Sequence, residues 1–181
     1  RGPVFYRQIR ASVASRPFKM IKFRTMVQNA EQHTGPVFAA QDDPRTTRIG
    51  GFLRRLSLDE LPQLFNVLTG HMSLVGPRPE RPEIVDRLRQ QIPRYMLRTQ
   101  VRPGMTGLAQ VSGYRGRTSL RKRTQYDLHY VRNWSLWLDL WILLRTLFGG
   151  FRDPETSPDQ PSSDDPAEPA GDVDTPARSS T

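Results

Sequence analysis

The stretch SLDELPQLFNVLTGHMSLVGPRPE, residues 57–80, sets two acids, Asp59 and Glu60, between a basic pair, Arg54 and Arg55, and the tight turn Gly76-Pro77-Arg78-Pro79. Leu61, Leu64, Phe65 and Leu68 follow helical spacing, and Gly70 is a natural C-terminal stop. Ser57-Leu58-Asp59-Glu60 matches a capping box, and acids near a helix start favour the positive end of its dipole. Pro62 limits that reading. With Ser57 as N-cap, Pro62 would be the fifth helical residue, where its missing N–H costs a hydrogen bond. The helix begins more comfortably at Asp59 or later, with Pro62 in the first turn. Capping then accounts for one acid and not for both.

The alternative is chemistry. A carboxylate can attack phosphorus, and an adjacent one can hold a divalent metal or move a proton. Phosphoryl transfer needs positioning and charge neutralisation, which Arg, Lys and a metal such as Mg²⁺ supply. Arg54, Arg55 and Arg78 flank the pair in sequence, and Lys22 and Arg24 could join them in space. Pro77 and Pro79 stiffen the turn carrying Arg78, so its fork meets an anion at lower ordering cost. On these residues alone, cap and reacting centre stand as alternatives.

Outward from this segment, Val4–Ile9 and Phe18–Phe23 have the composition of two short strands, with Arg16-Pro17 as the turn before the second. Alternation places Phe18, Met20 and Lys22 on one face and Lys19, Ile21 and Phe23 on the other. Met26 to His33 reads as a helix ending at Gly35-Pro36. The run 39–51 reads as a polar loop turning at Asp43-Pro44. Pro79 to Leu97 reads as a helix interrupted near Pro93, and residues 101–113 as turns and short extended pieces. A further helix starts near Ser119 and runs through Tyr126, Asp127 and Tyr130.

Residues 133–148 hold all three tryptophans and are apolar almost all round. The run is shorter than the roughly 20 residues a bilayer span needs. A helix lying in the membrane–water interface and a core helix both fit it.

The chain has 181 residues, enough for one domain with an appendage. It has no cysteine, which excludes disulfides and thiolate metal sites. The net charge of +9 is uneven: residues 1–151 hold 25 Lys or Arg against ten acids, and residues 152–181 hold two Arg against eight acids. The basic body suits phosphates, whether of nucleic acid, lipid head groups or a small substrate; a solubilising surface is the plainer reading. Residues 152–181 lack large apolar side chains and read as a disordered acidic tail. The start, RGPVFYRQIR, has neither an initiator Met nor a signal-peptide core and reads as a fragment boundary.

KFRTM, TRIGGFLRRLSLDELPQLFNVLTG, MSLVGPRPE and VRPGMTGLAQVSG, in this order, resemble the bacterial sugar transferase family, monotopic phosphoglycosyl transferases acting on a polyprenyl carrier. The resemblance covers roughly residues 2–148. It implies transfer of a sugar 1-phosphate from a UDP-sugar to undecaprenyl phosphate, with release of UMP and a requirement for Mg²⁺, at the cytoplasmic face of the bacterial inner membrane. It implies Asp59 as nucleophile, with Glu60 assisting as base or in holding the metal beside Asp59. It implies Arg54 and Arg78 at the substrate phosphates, and Lys22, Arg24 and Asp127 at or beside the site. It also implies an N-terminal membrane anchor ahead of GPVFYRQIR.

One departure stands out: His71 occupies a place where the family has an acid before MSLVGPRP. It reads either as an exposed turn residue or as a titrating substitute for that acid. His33 and His129 have no partners at metal-ligand spacing. The rival functions are a non-catalytic basic membrane adaptor and a nucleic-acid-binding module. Nucleic acid is not expected as a partner, because the tryptophans cluster away from the basic residues. The expected fold is α+β: a compact helical domain with a few short strands over residues 1–151, membrane-associated, followed by the acidic tail.

Overall fold

The computed structural model describes residues 2–30, 32, 43–116 and 118–149. The acidic segment 152–181, read as a disordered tail, lies outside them. Strands β1 (Phe5–Ala11) and β2 (Pro17–Phe23) form an antiparallel hairpin with Phe5 opposite Phe23 and Ala11 opposite Pro17. The connection is a 3-10 turn, Val13–Ser15, in which Ala14 and Ser15 take positive φ. The period of two in β2 buries Phe18 and Met20 against Met72. The same period brings Lys22 to that inner face.

Helix α1 (Arg48–Arg55) starts at Thr47, whose hydroxyl accepts from Gly50 N–H at 3.0 Å. Gly50 lies against the Thr25 carbonyl so closely that a Cβ would stand 2.0 Å from its oxygen. This contact holds α1 beside the end of the hairpin. A 3-10 turn, Leu58–Glu60, leads into α2 (Gln63–Leu68).

The capping box does not form. Ser57 sits at φ 52° and its hydroxyl makes no cap bond, while Pro62 occupies the N-cap of α2, just outside the first turn. Both acids are buried in the 3-10 turn. Asn66 explains the attachment of α2: its side chain accepts from Ile21 N–H at 3.0 Å and donates to the Lys19 carbonyl at 2.9 Å. It thus satisfies the free edge of β2, whose backbone groups would otherwise lack partners. The apolar stripe of α2 points outward, with Phe65 and Leu68 61% and 82% exposed.

Strands β3 (Ser73–Val75) and β4 (Gly104–Thr106) pair in parallel. The crossover between them contains α3 (Pro82–Gln91) and a 3-10 run, Tyr95–Gln100. The helix read from Pro79 to Leu97 with an interruption near Pro93 breaks there as expected, ending at Ile92 in extended backbone before Pro93, but it opens later, at Pro82, favoured at a first helical position. Ile84, Val85 and Leu88 pack with Ala11, Ile92, Tyr95 and Leu120. Residues 101–113, read as turns and short extended pieces, also hold the single-turn helix α4 (Leu108–Val111). Helix α5 (Leu120–Arg132) begins as read, with the Ser119 hydroxyl accepting from Lys122 N–H.

The helix read over Met26–His33 is not formed in its described part. Met26 bridges to Thr46, Val27 N–H donates to the Arg45 carbonyl, and Asn29 turns the chain at φ 57°. Pairing across to the segment before α1 replaces local helical bonds.

Helix α6 (Leu136–Gly149) packs one side into the core, as the core reading expects, and exposes the other. Ile142 is fully buried with Val75, Leu108 and Tyr130, a contribution of roughly 2–3 kcal/mol. Trp137 and Phe148 are 79% and 86% exposed. Asp139 accepts from Tyr130 O–H at 2.8 Å and from Trp134 Nε1–H at 3.1 Å, fixing the start of the helix to α5. Among the described residues no helix is long and apolar enough to cross a membrane. The fold is a mixture of helices with two small two-stranded sheets, as the α+β reading expects.

Candidate active site

The hairpin, the segment after β2, α1 and the turn after β3 enclose a cavity of about 820 Å³, whose lining includes Lys22, Arg24, Arg54, Asp59, Arg78 and Arg115. Residues spread over 94 positions of sequence thus share one concave, cationic surface. Glu60 lies beneath it.

Glu60 is held by three cations. Lys22 Nζ lies 3.2 Å from Oε1, Arg78 donates through Nη2 to Oε1 at 2.5 Å and through Nη1 to Oε2 at 3.3 Å, and Arg115 Nη2 stands 3.7 Å away. Burial alone would raise the Glu60 carboxyl, but Arg78, Lys22 and Arg115 hold it well below the usual carboxylate range.

Asp59 differs in every respect. Among the described residues it makes no hydrogen bond or ion pair, and it opens onto the cavity. Burial and the adjacent Glu60 charge push its carboxyl up, against the pull of Lys22, Arg54 and Arg115. Burial, reinforced by Arg78 and Arg10 and only partly offset by Glu60, pushes the Lys22 amine down to about 8.

The arginines are fixed in different ways. Arg54 donates to the hydroxyls of Thr25 at 2.8 Å and Thr46 at 3.3 Å, and among the described residues it forms no ion pair with a carboxylate. Arg24 donates to the Pro3 carbonyl at 2.7 Å and is the more exposed. Arg115 rests near the Ser57 hydroxyl at 3.4 Å, and burial beside Arg78 lowers its pKa. It was not among the candidates from sequence; its only signal was an arginine within a glycine-bounded turn, GYRG.

Asp127, expected at or beside the site, does not line the cavity. It is buried behind the turn of Arg78, where Arg98 donates to its Oδ2 through Nε at 3.0 Å and Nη2 at 2.6 Å. Glu80 is a second buried, paired acid, 3.1 Å from Arg123 and 3.7 Å from Arg10, but unlike Asp127 it lines the cavity together with both arginines. His71 also lies outside the cavity lining. Its ring stacks on Phe18 at 6.1 Å and its Nδ1 is 2.9 Å from Thr69 Oγ1, which favours the turn-residue reading.

Among the described residues no group of three or more metal-binding side chains exists. The site fits Mg²⁺ in another way, because this ion is commonly held by one or two carboxylates together with substrate phosphates. Asp59 has oxygens to offer. Those of Glu60 are engaged by Lys22 and Arg78, which leaves Asp59 as the better donor of the two acids assigned to the metal.

Comparison with known proteins identifies the family. Residues 1–153 match the family described as bacterial sugar transferase. The chain is 49% identical over 154 residues to the UDP-glucose:undecaprenyl-phosphate glucose-1-phosphate transferase of Escherichia coli (strain K12), covering 83% of this chain and 33% of that protein. It is 48% identical over 155 residues to the UDP-N-acetylgalactosamine-undecaprenyl-phosphate N-acetylgalactosaminephosphotransferase of Aeromonas hydrophila, covering 83% of this chain and 36% of that protein. It is 48% identical over 150 residues to a UDP-glucose:undecaprenyl-phosphate glucose-1-phosphate transferase of Caulobacter vibrioides, covering 81% and 56%. The chain thus spans about a third of the length of the first two relatives and over half of the third. With the family match running across both the paired acids and the turn of Arg78, the chain belongs to the bacterial sugar transferase family.

Proposed function

We propose that this domain transfers a sugar 1-phosphate from a UDP-sugar to undecaprenyl phosphate through a covalent intermediate on Asp59. The observation that carries the reading is the asymmetry of the acids: Glu60 is locked by Lys22 and Arg78, while Asp59 faces the cavity with no hydrogen-bond or ion-pair partner among the described residues. An unpaired carboxylate among cations can meet a phosphate whose charge the cations neutralise. Relatives whose names specify UDP-sugar and undecaprenyl-phosphate chemistry support the substrate classes.

In the first step an Asp59 carboxylate oxygen attacks the sugar-bearing phosphorus. The bond from that phosphorus to the bridging oxygen breaks, UMP leaves with the electron pair, and a phosphosugar–aspartate acyl phosphate is formed. In the second step an oxygen of undecaprenyl phosphate attacks the same phosphorus and the Asp59 carboxylate leaves. Arg54, Arg78, Arg24 and Lys22 bind and orient the phosphates, and Glu60 keeps Lys22 and Arg78 aimed at the cavity. A bound Mg²⁺, held by Asp59 with substrate phosphate oxygens, would neutralise the charge of the leaving nucleotide.

The lipid acceptor brings the protein to a membrane, and two apolar faces suit that contact. One comprises Ile49, Phe52, Phe65 and Leu68 around α1 and α2; the other comprises Leu136, Trp137, Leu147 and Phe148 of α6. Their exposure favours an interfacial position on a membrane, and the proposal sets it at the cytoplasmic face of the inner membrane.

The test uses full-length protein in detergent with Mg²⁺, undecaprenyl phosphate and UDP-sugars carrying a radiolabel in the sugar. Wild type should release UMP and carry label on protein when the acceptor is withheld. Asp59→Asn should do neither. Undiminished UMP release from Asp59→Asn would refute the mechanism.

A further inference from the structure

The turn that presents Arg78 is held in an unusual way. Pro77 and Pro79 have no N–H to donate, so the turn can be fixed chiefly through its carbonyls. Four consecutive carbonyls are taken by four different donors. Gly104 N–H donates to Pro77 at 2.9 Å, Arg98 Nη2 to Arg78 at 2.9 Å, Arg10 Nη1 to Pro79 at 3.1 Å, and Ala11 N–H to Glu80 at 2.9 Å. Gly76 and Gly104 allow the close approach this needs, since a Cβ on Gly104 would stand 2.1 Å from Gly76 nitrogen.

Arg98 is the member with the most constrained setting. It is 4% exposed, and its guanidinium also donates to Tyr95 Oη at 3.0 Å and twice to Asp127. Its fork therefore has one edge on a buried carboxylate while the same Nη2 holds the Arg78 carbonyl. A lysine could keep the charge but not that geometry.

We propose that Arg98 and Asp127 are positioning residues that act through Arg78. The pair sets the orientation of the 77–80 turn and so aims the Arg78 guanidinium at Glu60 and the substrate phosphate. This rests on the reading of Arg78 as a phosphate-site arginine. The pair touches no substrate itself, and Asp127 serves to hold the Arg98 fork in the one orientation that reaches the Arg78 carbonyl.

The experiment uses full-length protein in detergent, with Arg98→Lys, Asp127→Asn, Arg78→Ala and the double variant Arg78→Ala/Arg98→Lys. Arg98→Lys is expected to lower kcat for UMP release about 10- to 100-fold with KM changed by less than about threefold. In the Arg78→Ala background the same change should cost less than about twofold, because residues acting as a unit are not additive. Equal costs in both backgrounds would overturn the proposal, as a merely structural role predicts. Hydrogen exchange provides an independent reading. Arg98→Lys and Asp127→Asn should accelerate exchange in the peptide covering 76–81 with little change over 84–92. No change at 76–81, or an increase spread through α3, would overturn it. If wild type transfers no sugar phosphate, the proposed activity fails, while the exchange measurement still decides whether the turn is held by this pair.

Discussion

The molecule contains two buried assemblies of acids and arginines, one at the cavity floor and one behind the Arg78 turn. In the rear assembly the carboxylate of Asp127 is consumed by the fork of Arg98, and Glu80, which lines the cavity, is likewise consumed by Arg123 and Arg10. In the front assembly Glu60 is equally consumed, and Asp59 is left over. A buried charge is tolerated when paired, and pairing removes its nucleophilic capacity. Burial with arginines nearby is therefore common to both regions, and the unpaired oxygen distinguishes the one proposed to react.

Breaking the front assembly at Asp59 should have the largest effect on transfer. Asp59→Asn should lower it by about 10⁴-fold or more, as for other nucleophile removals. Its stability should move the other way. The folded pKa of Asp59 lies above its unfolded value, so the ionised form is disfavoured in the fold and costs stability as pH rises above the ordinary carboxyl range. Thermal unfolding at pH 7 should show Asp59→Asn at least as stable as wild type. A lowered melting temperature would contradict that reading.

Glu60→Gln should behave as the mirror image. Its folded pKa is depressed, so it contributes stability above its unfolded pKa, and this is lost as pH falls through the folded value. The variant should lose transfer by about 10²-fold and be destabilised at pH 7. The difference from wild type should shrink in acid, which melting curves at several pH values would measure.

Asp127→Ala sharpens the comparison from the rear. It leaves the Arg98 charge buried without its partner, at a cost of about 3–5 kcal/mol. For a domain of this size that lowers the melting temperature by roughly 10 °C.

Smaller effects follow for Lys22 and His71. The Lys22 amine, near 8, should lose its proton as pH rises through that value, so transfer should decline on the alkaline side. Lys22→Arg should push that decline to higher pH. Between about 8 and the ordinary 10.5 the unfolded chain binds the extra proton, so stability should rise over the window in which activity falls. His71→Ala should change stability by no more than about 1 kcal/mol and leave the rate of transfer unchanged in the same assay. A large loss would return His71 to the site.

Much of this arrangement is legible in the sequence, for identifiable reasons. Period-two alternation in FKMIKF buries Phe18 and Met20 and thereby aims Lys22 inward, and Ser119 marks the start of α5. Pro62 correctly warns against the capping box. What escapes sequence is what the crossover between β3 and β4 creates. Nothing local distinguishes Asp127 behind the turn from an acid inside the cavity, or marks Arg98 among so many arginines. Arg115 reaches Glu60 only because the chain after α4 folds back beside the 3-10 turn. The stripe of Leu64, Phe65 and Leu68 was legible as helical, but its period could not tell that it faces outward.

The pinned carbonyls of residues 77–80 also bear on time. A loop free to open and close moves over nanoseconds to microseconds, whereas a side chain on a fixed backbone changes rotamer in picoseconds to nanoseconds. Arg78, on a pinned backbone and paired with Glu60, is not carried by the first kind of motion. On the proposed reading its guanidinium meets a phosphate without waiting for a segment to close, which leaves the tempo of turnover to bond chemistry and to the departure of products.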